Sequence, residues 1–331
     1  MTTSTPSRGT AIRATKLARD FNDIPAVDGV DLEITDGEIY GFLGPNGAGK
    51  STTVRMLCTL LAPTSGEAIV AGYDVVANPG AVRLRIGVAL QEASLDPKQT
   101  GAELLRLQAR LYGLPKSVAR RRVQELGELI DLGDALHRPI ATYSGGMKRR
   151  LDLAAALVHN PGLLFLDEPT TGLDPVSRAR VWEEVSRLNR EWGVTIFLTT
   201  QYLEEADALA DRVGIIDAGR IVAEGTPTEL KRSIGTDVIV VRTEGDAALA
   251  APSVEQVEGV LQVEVRRHEL VVSTSDGPAT VSGVAVALST CGVTVRDLTL
   301  RSPTLDDVFL ELTGARFQNE NDNENERENK K

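Results

Sequence analysis

The run Glu38–Ser51, EIYGFLGPNGAGKS, constrains the fold more than any other stretch of this chain. Glu38–Gly44 reads as a short apolar strand that runs straight into a glycine loop, and Lys50–Leu61 reads as a helix that starts in that loop. Strand, loop and helix in this order fit G-x-x-x-x-G-K-[ST], a loop that wraps a polyphosphate. Gly44, Gly47 and Gly49 let the backbone pass close to phosphate oxygens. The loop and helix start, Gly44, Pro45, Asn46, Gly47, Ala48, Gly49, Lys50, Ser51 and Thr52, then wrap the nucleotide, and all of them but Pro45 have a main-chain N–H to turn toward negative charge. Lys50 adds a point charge for the β- and γ-phosphates, and Ser51 adds a hydroxyl for Mg²⁺. By itself the motif indicates only a user of nucleoside triphosphates.

Two later runs narrow the class. YSGGM at Tyr143–Met147 precedes a helix beginning near Lys148, so Ser144, Gly145 and Gly146 form a second helix terminus suited to an anion. LLFLDEPTTGLD at Leu163–Asp174 is an apolar strand ending in two carboxylates. Asp167 is placed to hold the metal opposite Ser51, and Glu168 is placed to polarise an attacking water.

The three runs, in this order and spacing, resemble the ATP-binding cassette (ABC) ATPases over about residues 11–232. The resemblance implies ATP and Mg²⁺ as ligands, with Ser51, Gln91 and Asp167 at the metal. It implies Glu168 as general base, Gln91 of VALQ as the glutamine linking the core to a helical subdomain, and Phe21 stacked on adenine. It also implies that Ser144–Gly146 completes the ATP site of a second copy of the chain and that Asp174 crosses the interface of that nucleotide-sandwich dimer. An aromatic in a strand, as at Phe21, equally serves core packing.

One position departs from the family. Where most cassettes carry a histidine after the strand Val194–Thr199, this chain has Gln201, in TTQYLEEAD. A glutamine can donate a hydrogen bond to a γ-phosphate but cannot carry a proton near neutral pH. Gln201, the YSGGMKRRLDLA form of the second motif and SPTLDDVFLELTG at Ser302–Gly314 are similar to the daunorubicin-resistance type of drug-export ATPase. That likeness implies an ATPase at the cytoplasmic face of a bacterial membrane, peripheral to a separately encoded integral membrane permease.

The fold class expected is α/β: a P-loop ABC ATPase core with an antiparallel β-subdomain and a helical subdomain, then a small α+β C-terminal domain. Residues 1–10 read as a flexible leader and 11–234 as the nucleotide-binding domain. Within the latter, Ile12–Ile34 suggests antiparallel strands broken near Asn22–Pro25, and the helical subdomain spans about 92–160. Residues 235–314 form the accessory domain, closed by a helix with Leu305, Val308, Phe309 and Leu312 on one face and Ser302 or Thr304 as cap. Residues 315–331 are too polar to fold.

A net charge of −11 argues against nucleic acid as a partner, and the basic runs Arg120–Arg122 and Lys148–Arg150 read as solvated helix faces. Cys58 and Cys291 lack metal-ligand spacing, and His137, His159 and His268 show no metal pattern. The leading function is therefore the ATPase subunit of an exporter. The alternatives are a soluble cassette acting on chromosomes or ribosomes and a low-turnover regulatory module, the latter supported only by Gln201.

Overall fold

The computed structural model describes residues 9–90, 95–244, 246–266 and 268–313. Gln91, the first eight residues and the tail 315–331 lie outside them. The chain forms two compact units that divide between Pro227 and Thr228, whereas the motif reading puts the boundary after residue 234. The helix over Pro227–Ile234 carries no motif that would mark a boundary in the sequence.

β1 (Thr10–Phe21) and β2 (Ile24–Thr35) form a hairpin. The turn residues Asn22 and Asp23 both have positive φ, at 48° and 64°, which is the twist that two-residue hairpins require and that Asn and Asp tolerate. β3 (Ile39–Leu43) leads into the glycine loop and α1 (Lys50–Leu57). That helix ends four residues earlier than its apolar pattern suggests, because Thr59 turns left-handed at φ 63°. β4 (Ser65–Val70) and β5 (Tyr73–Asp74) complete a four-stranded antiparallel sheet, order β2-β1-β4-β5.

The second sheet carries the motifs. After α2 (Pro79–Arg83) and β6 (Ile86–Ala89) come α3 (Gly101–Leu111), α4 (Lys116–Leu129) and α5 (Gly145–Ala156). β7 (Leu163–Asp167), α6 (Pro175–Trp192), β8 (Thr195–Thr200), α7 (Leu203–Leu209), β9 (Arg212–Asp217) and β10 (Arg220–Gly225) follow. The order is β10-β9-β3-β8-β7-β6, parallel except for β10. β7 and β8 are buried on both faces, which is why they read as unbroken apolar runs. Leu164, Leu166, Ile196 and Leu198 join the core shared with α3–α6, while Phe165 and Phe197 pack with Tyr40, Phe42 and α1 against the antiparallel sheet.

The second unit contains α8 (Pro227–Ile234), β11 (Asp237–Thr243), α9 (Ala251–Val254), β12 (Val260–Arg266), β13 (Glu269–Thr274), α10 (Gly277–Thr290), β14 (Val295–Arg301) and α11 (Leu305–Thr313). Its antiparallel sheet runs β12-β13-β11-β14. Ile239, Val241, Leu270 and Val272 meet Val284 and Leu288 of α10 in one apolar cluster. Thr304 caps α11: its hydroxyl accepts from Asp307 N at 3.2 Å, and Asp307 Oδ2 accepts from Thr304 N at 2.9 Å.

The α11 face is narrower than the sequence suggests. Leu305, Val308 and Phe309 are buried, but Leu312 is 42% exposed, since the apolar stripe turns off the buried side by the last turn. Phe309→Ala should therefore cost about 3–5 kcal/mol in denaturant unfolding of the second unit, and Leu312→Ala less than about 1 kcal/mol. Similar losses at the two positions would refute this packing.

Candidate ATP site

The site forms at the carboxyl edge of the parallel sheet, where neighbouring strands end in register. Leu43 of β3 pairs with Thr200, and Asp167 of β7 pairs with Thr199. The glycine loop, Asp167–Glu168 and Gln201 therefore emerge side by side, and Gln201 is half-buried there. Open α/β sheets place ligands at this edge.

The loop's shape depends on its glycines. Gly49 has φ 106°, and a Cβ there would lie 2.5 Å from the Ala26 carbonyl oxygen. Thr53 Oγ1 donates to the Gly49 carbonyl at 3.0 Å and locks the first turn of α1. Lys50, buried, donates from Nζ to the carbonyls of Gly44 and Pro45 at 2.7 and 3.1 Å and lies 3.6 Å from Glu168 Oε1. Burial pulls its ammonium below the ordinary lysine range, with the Glu168 and Asp167 carboxylates opposing.

Asp167 Oδ1 accepts hydroxyls from Ser51 at 3.2 Å and from Thr199 at 2.5 Å. The donors collected here are a carboxylate and hydroxyl oxygens, the hard ligands that Mg²⁺ prefers. Glu168 is buried with φ 47°. Its N–H donates to both the carbonyl and the hydroxyl of Thr199, at 3.0 and 3.1 Å, and its Oε2 accepts from Thr171 Oγ1 at 3.3 Å.

α5 starts at Gly145, three residues before the expected Lys148. Ser144 is its N-cap and accepts from Met147 N at 3.3 Å, so Gly145 and Gly146 lie in the first turn, where N–H groups have no helical partner. Asp174 caps α6, accepting from Ser177 N at 2.9 Å and Ser177 Oγ at 2.6 Å. Ser177 also backs Gly146, where an added Cβ would lie 2.8 Å from its Oγ. Phe21 is 44% exposed, with the Arg19 guanidinium 4.8 Å from its ring centre. It lies two residues along β1 from Arg19, the register partner of Val27, which neighbours the carbonyl facing Gly49.

Sequence reasoning missed several participants. The run Lys148–Arg150 is not a solvated face: Arg149 and Arg150 are both 8% exposed, because α5 turns them into the unit. Arg150 lies 3.9 Å from Glu184, whose carboxyl burial pushes up to about 7. Thr199 shows its role only through its register with Asp167. Glu205 is fully buried and accepts from Thr170 Oγ1 at 2.9 Å and Trp182 Nε1 at 2.8 Å. Among the described residues no group of three or more His, Cys, Asp or Glu side chains could hold a metal ion. Cys58 is buried and Cys291 only partly so.

Comparison with known proteins gives this geometry its family. Residues 27–171 match the family model described as ABC transporter, and residues 225–313 match the C-terminal domain of the DrrA1-3-like ATP-binding proteins. The chain is 49% identical to the daunorubicin resistance ATP-binding protein DrrA3 of Streptomyces coeruleorubidus, across 92% of its own length and 96% of that protein's. It belongs to the ABC transporter ATP-binding proteins. A second relative, the daunorubicin/doxorubicin resistance ATP-binding protein DrrA of Streptomyces peucetius, is 48% identical over 92% of each chain. Among solved structures, an ATP-binding subunit of an ABC transporter superposes with a TM-score of 0.62 at 29% identity, covering 68% of this chain and 93% of that one. The activity of the family is ATP hydrolysis, and this ABC ATPase has the fold for it: an antiparallel β-subdomain, a parallel core and a helical segment, followed by an α+β unit.

The steric demand at Gly49 separates loop shape from general glycine effects. Gly49→Ala should weaken ATP binding at least tenfold in a nucleotide titration and destabilise the fold by about 1–3 kcal/mol. Gly80→Ala, in α2 with nothing within 4 Å of the new Cβ, should leave ATP binding unchanged and stability within about 1 kcal/mol of wild type. Equal behaviour of the two variants would contradict the loop geometry.

Proposed function

We propose that this chain binds and hydrolyses Mg²⁺–ATP at a site completed by a second copy of itself, and so energises a separate membrane permease that exports drug-like or lipid-like compounds. The observation that carries the reading is the cluster of Lys50, Ser51, Asp167 and Glu168 at one sheet edge, bound together by contacts of 2.7 to 3.6 Å with the loop and with each other. The resistance functions named for the two relatives support drug export. No helix of the described residues is long and apolar enough to cross a membrane, and the proposed place of the chain is peripheral, at the cytoplasmic face.

Phosphate binding falls to the loop N–H groups and Lys50, whose ammonium already lies between loop carbonyls and Glu168. Ser51, Asp167 and the family's glutamine, Gln91, would hold Mg²⁺, which when bound neutralises charge developing on the β- and γ-oxygens. Glu168 acts as the base, taking a proton from the attacking water while Asp167 serves the metal. Gln201 hydrogen-bonds the γ-phosphate. Ser144, Gly145 and Gly146 offer their helix terminus to the γ-phosphate held by the partner copy, with Asp174 at the interface. Phe21, open on one face, receives the adenine.

Two measurements test this chemistry. Glu168→Gln should bind ATP as wild type does, release phosphate at least about 100-fold more slowly, and accumulate as an ATP-dependent dimer in size-exclusion chromatography. Wild-type turnover in that variant would refute the assignment.

Gln201 is the position where the mechanism departs from a histidine-bearing cassette. Gln201→Ala should lower hydrolysis about tenfold or more, whereas Gln201→His should retain or raise it and add to the wild-type pH profile a titration at about pH 6–7 that glutamine at this position does not contribute. Equal rates for all three proteins would remove Gln201 from the mechanism.

A further inference from the structure

Arg149 lies in the middle of α5, on the helix that begins at Ser144, yet its guanidinium is spent on the segment around Glu168. Nε donates to the Pro169 carbonyl at 2.9 Å and Nη2 to the Asp167 carbonyl at 3.1 Å. Nη1 donates to the Leu90 carbonyl at 2.6 Å and pairs with Asp152 at 3.3 Å. Two of the three carbonyls belong to the residues on either side of Glu168.

Glu168 needs such support. Its φ of 47° is left-handed, a region that a side-chain-bearing residue adopts only under strain, and a proline follows it. A strained backbone persists only where its surroundings over-determine it. On one side Thr199 holds the Glu168 N–H through both its carbonyl and its hydroxyl. On the other side the planar guanidinium holds the carbonyls of Asp167 and Pro169 together, a fork that a lysine ammonium cannot reproduce.

We propose that Arg149 is the positioning residue for Glu168: by clamping the flanking carbonyls of Asp167 and Pro169, it fixes the left-handed backbone that points the glutamate carboxylate toward Lys50 and the reacting phosphate. Arg149 touches neither nucleotide nor water in this role. It acts through Glu168 alone. The clamp also joins the helix starting at Ser144, the end of β7 and the residue preceding Gln91 through one side chain. The inference rests on reading Glu168 as the general base.

The test is a double-mutant comparison in the full-length chain. Arg149→Lys should lower kcat for ATP about tenfold or more, because a small misplacement of a reacting group costs that much, while the dissociation constant for a fluorescent ATP analogue stays within about twofold of wild type. In the Glu168→Gln background the same substitution should change the residual rate by less than about twofold, since a residue acting only through Glu168 has nothing left to position. Arg149→Gln, which removes the buried guanidinium charge but also the ion-pair partner of Asp152, is combined with Asp152→Asn and carries the same comparison if Arg149→Lys does not melt cooperatively. A kcat within twofold of wild type, an equal fold-loss in both backgrounds, or a loss confined to nucleotide affinity overturns the assignment. A wild-type chain with no Glu168-dependent hydrolysis overturns the ATPase reading instead.

Discussion

One buried oxygen holds the site together. Asp167 Oδ1 accepts the hydroxyls of both Ser51 and Thr199, and so ties the first turn of α1, the end of β7 and the end of β8 at a single atom. A buried carboxylate left without donors would cost several kcal/mol, so each of these hydroxyls is under constraint. Because Thr199 also receives the Glu168 N–H, the residue that fixes the Asp167 carboxylate fixes the backbone of Glu168 as well. The parallel register of β3, β8 and β7 makes this convergence possible, since it brings Leu43, Thr200 and Asp167 to the same edge of the sheet.

Buried charge is handled in the same way around that edge. Lys50 rests on two loop carbonyls and Glu168, Arg149 on three carbonyls and Asp152, and Glu205 on the Thr170 hydroxyl and the Trp182 indole N–H. Burial nonetheless pushes Asp152 up to about 6 and lowers both Lys50 and Arg149 from their usual ranges. These partners come from the carboxyl end of β7 and the residues that follow it, from the glycine loop and Leu90, and from α5 and α6. The helix capped by Ser144 and the helix capped by Asp174 meet through Ser177 against Gly146, which gives the two helix starts a fixed relation within one chain.

Much of the fold was legible because its signals are local. The glycine loop, the apolar runs of β7 and β8 and the Asn22–Asp23 turn each follow from short-range sterics or from burial on both faces. Boundaries were less legible. α1 stops early because Thr59 turns left-handed, and α5 starts early because Ser144 caps it, although two glycines weaken the helical pattern there. β4, β5, β6 and β10 are not legible in the sequence: β4 opens with three exposed residues, among them Gly66, β10 alternates exposed with only partly buried residues, and β5 and β6 are two and four residues long.

By itself the sequence determined the kind of chemistry. A loop of glycines before Lys50, a helix start at Ser144–Gly146 and paired carboxylates after an apolar strand are residue-type requirements, and they can be read without coordinates. The tertiary structure alone decided which residues stand behind them. Thr199 matters through strand register, Leu312 turns outward through the end of a helical stripe, and Arg149 enters the core although its neighbours in sequence suggest a solvated run. Charge patterning cannot distinguish a guanidinium that faces water from one that finds three main-chain carbonyls, because those carbonyls come from Leu90, Asp167 and Pro169, which only folding brings to it.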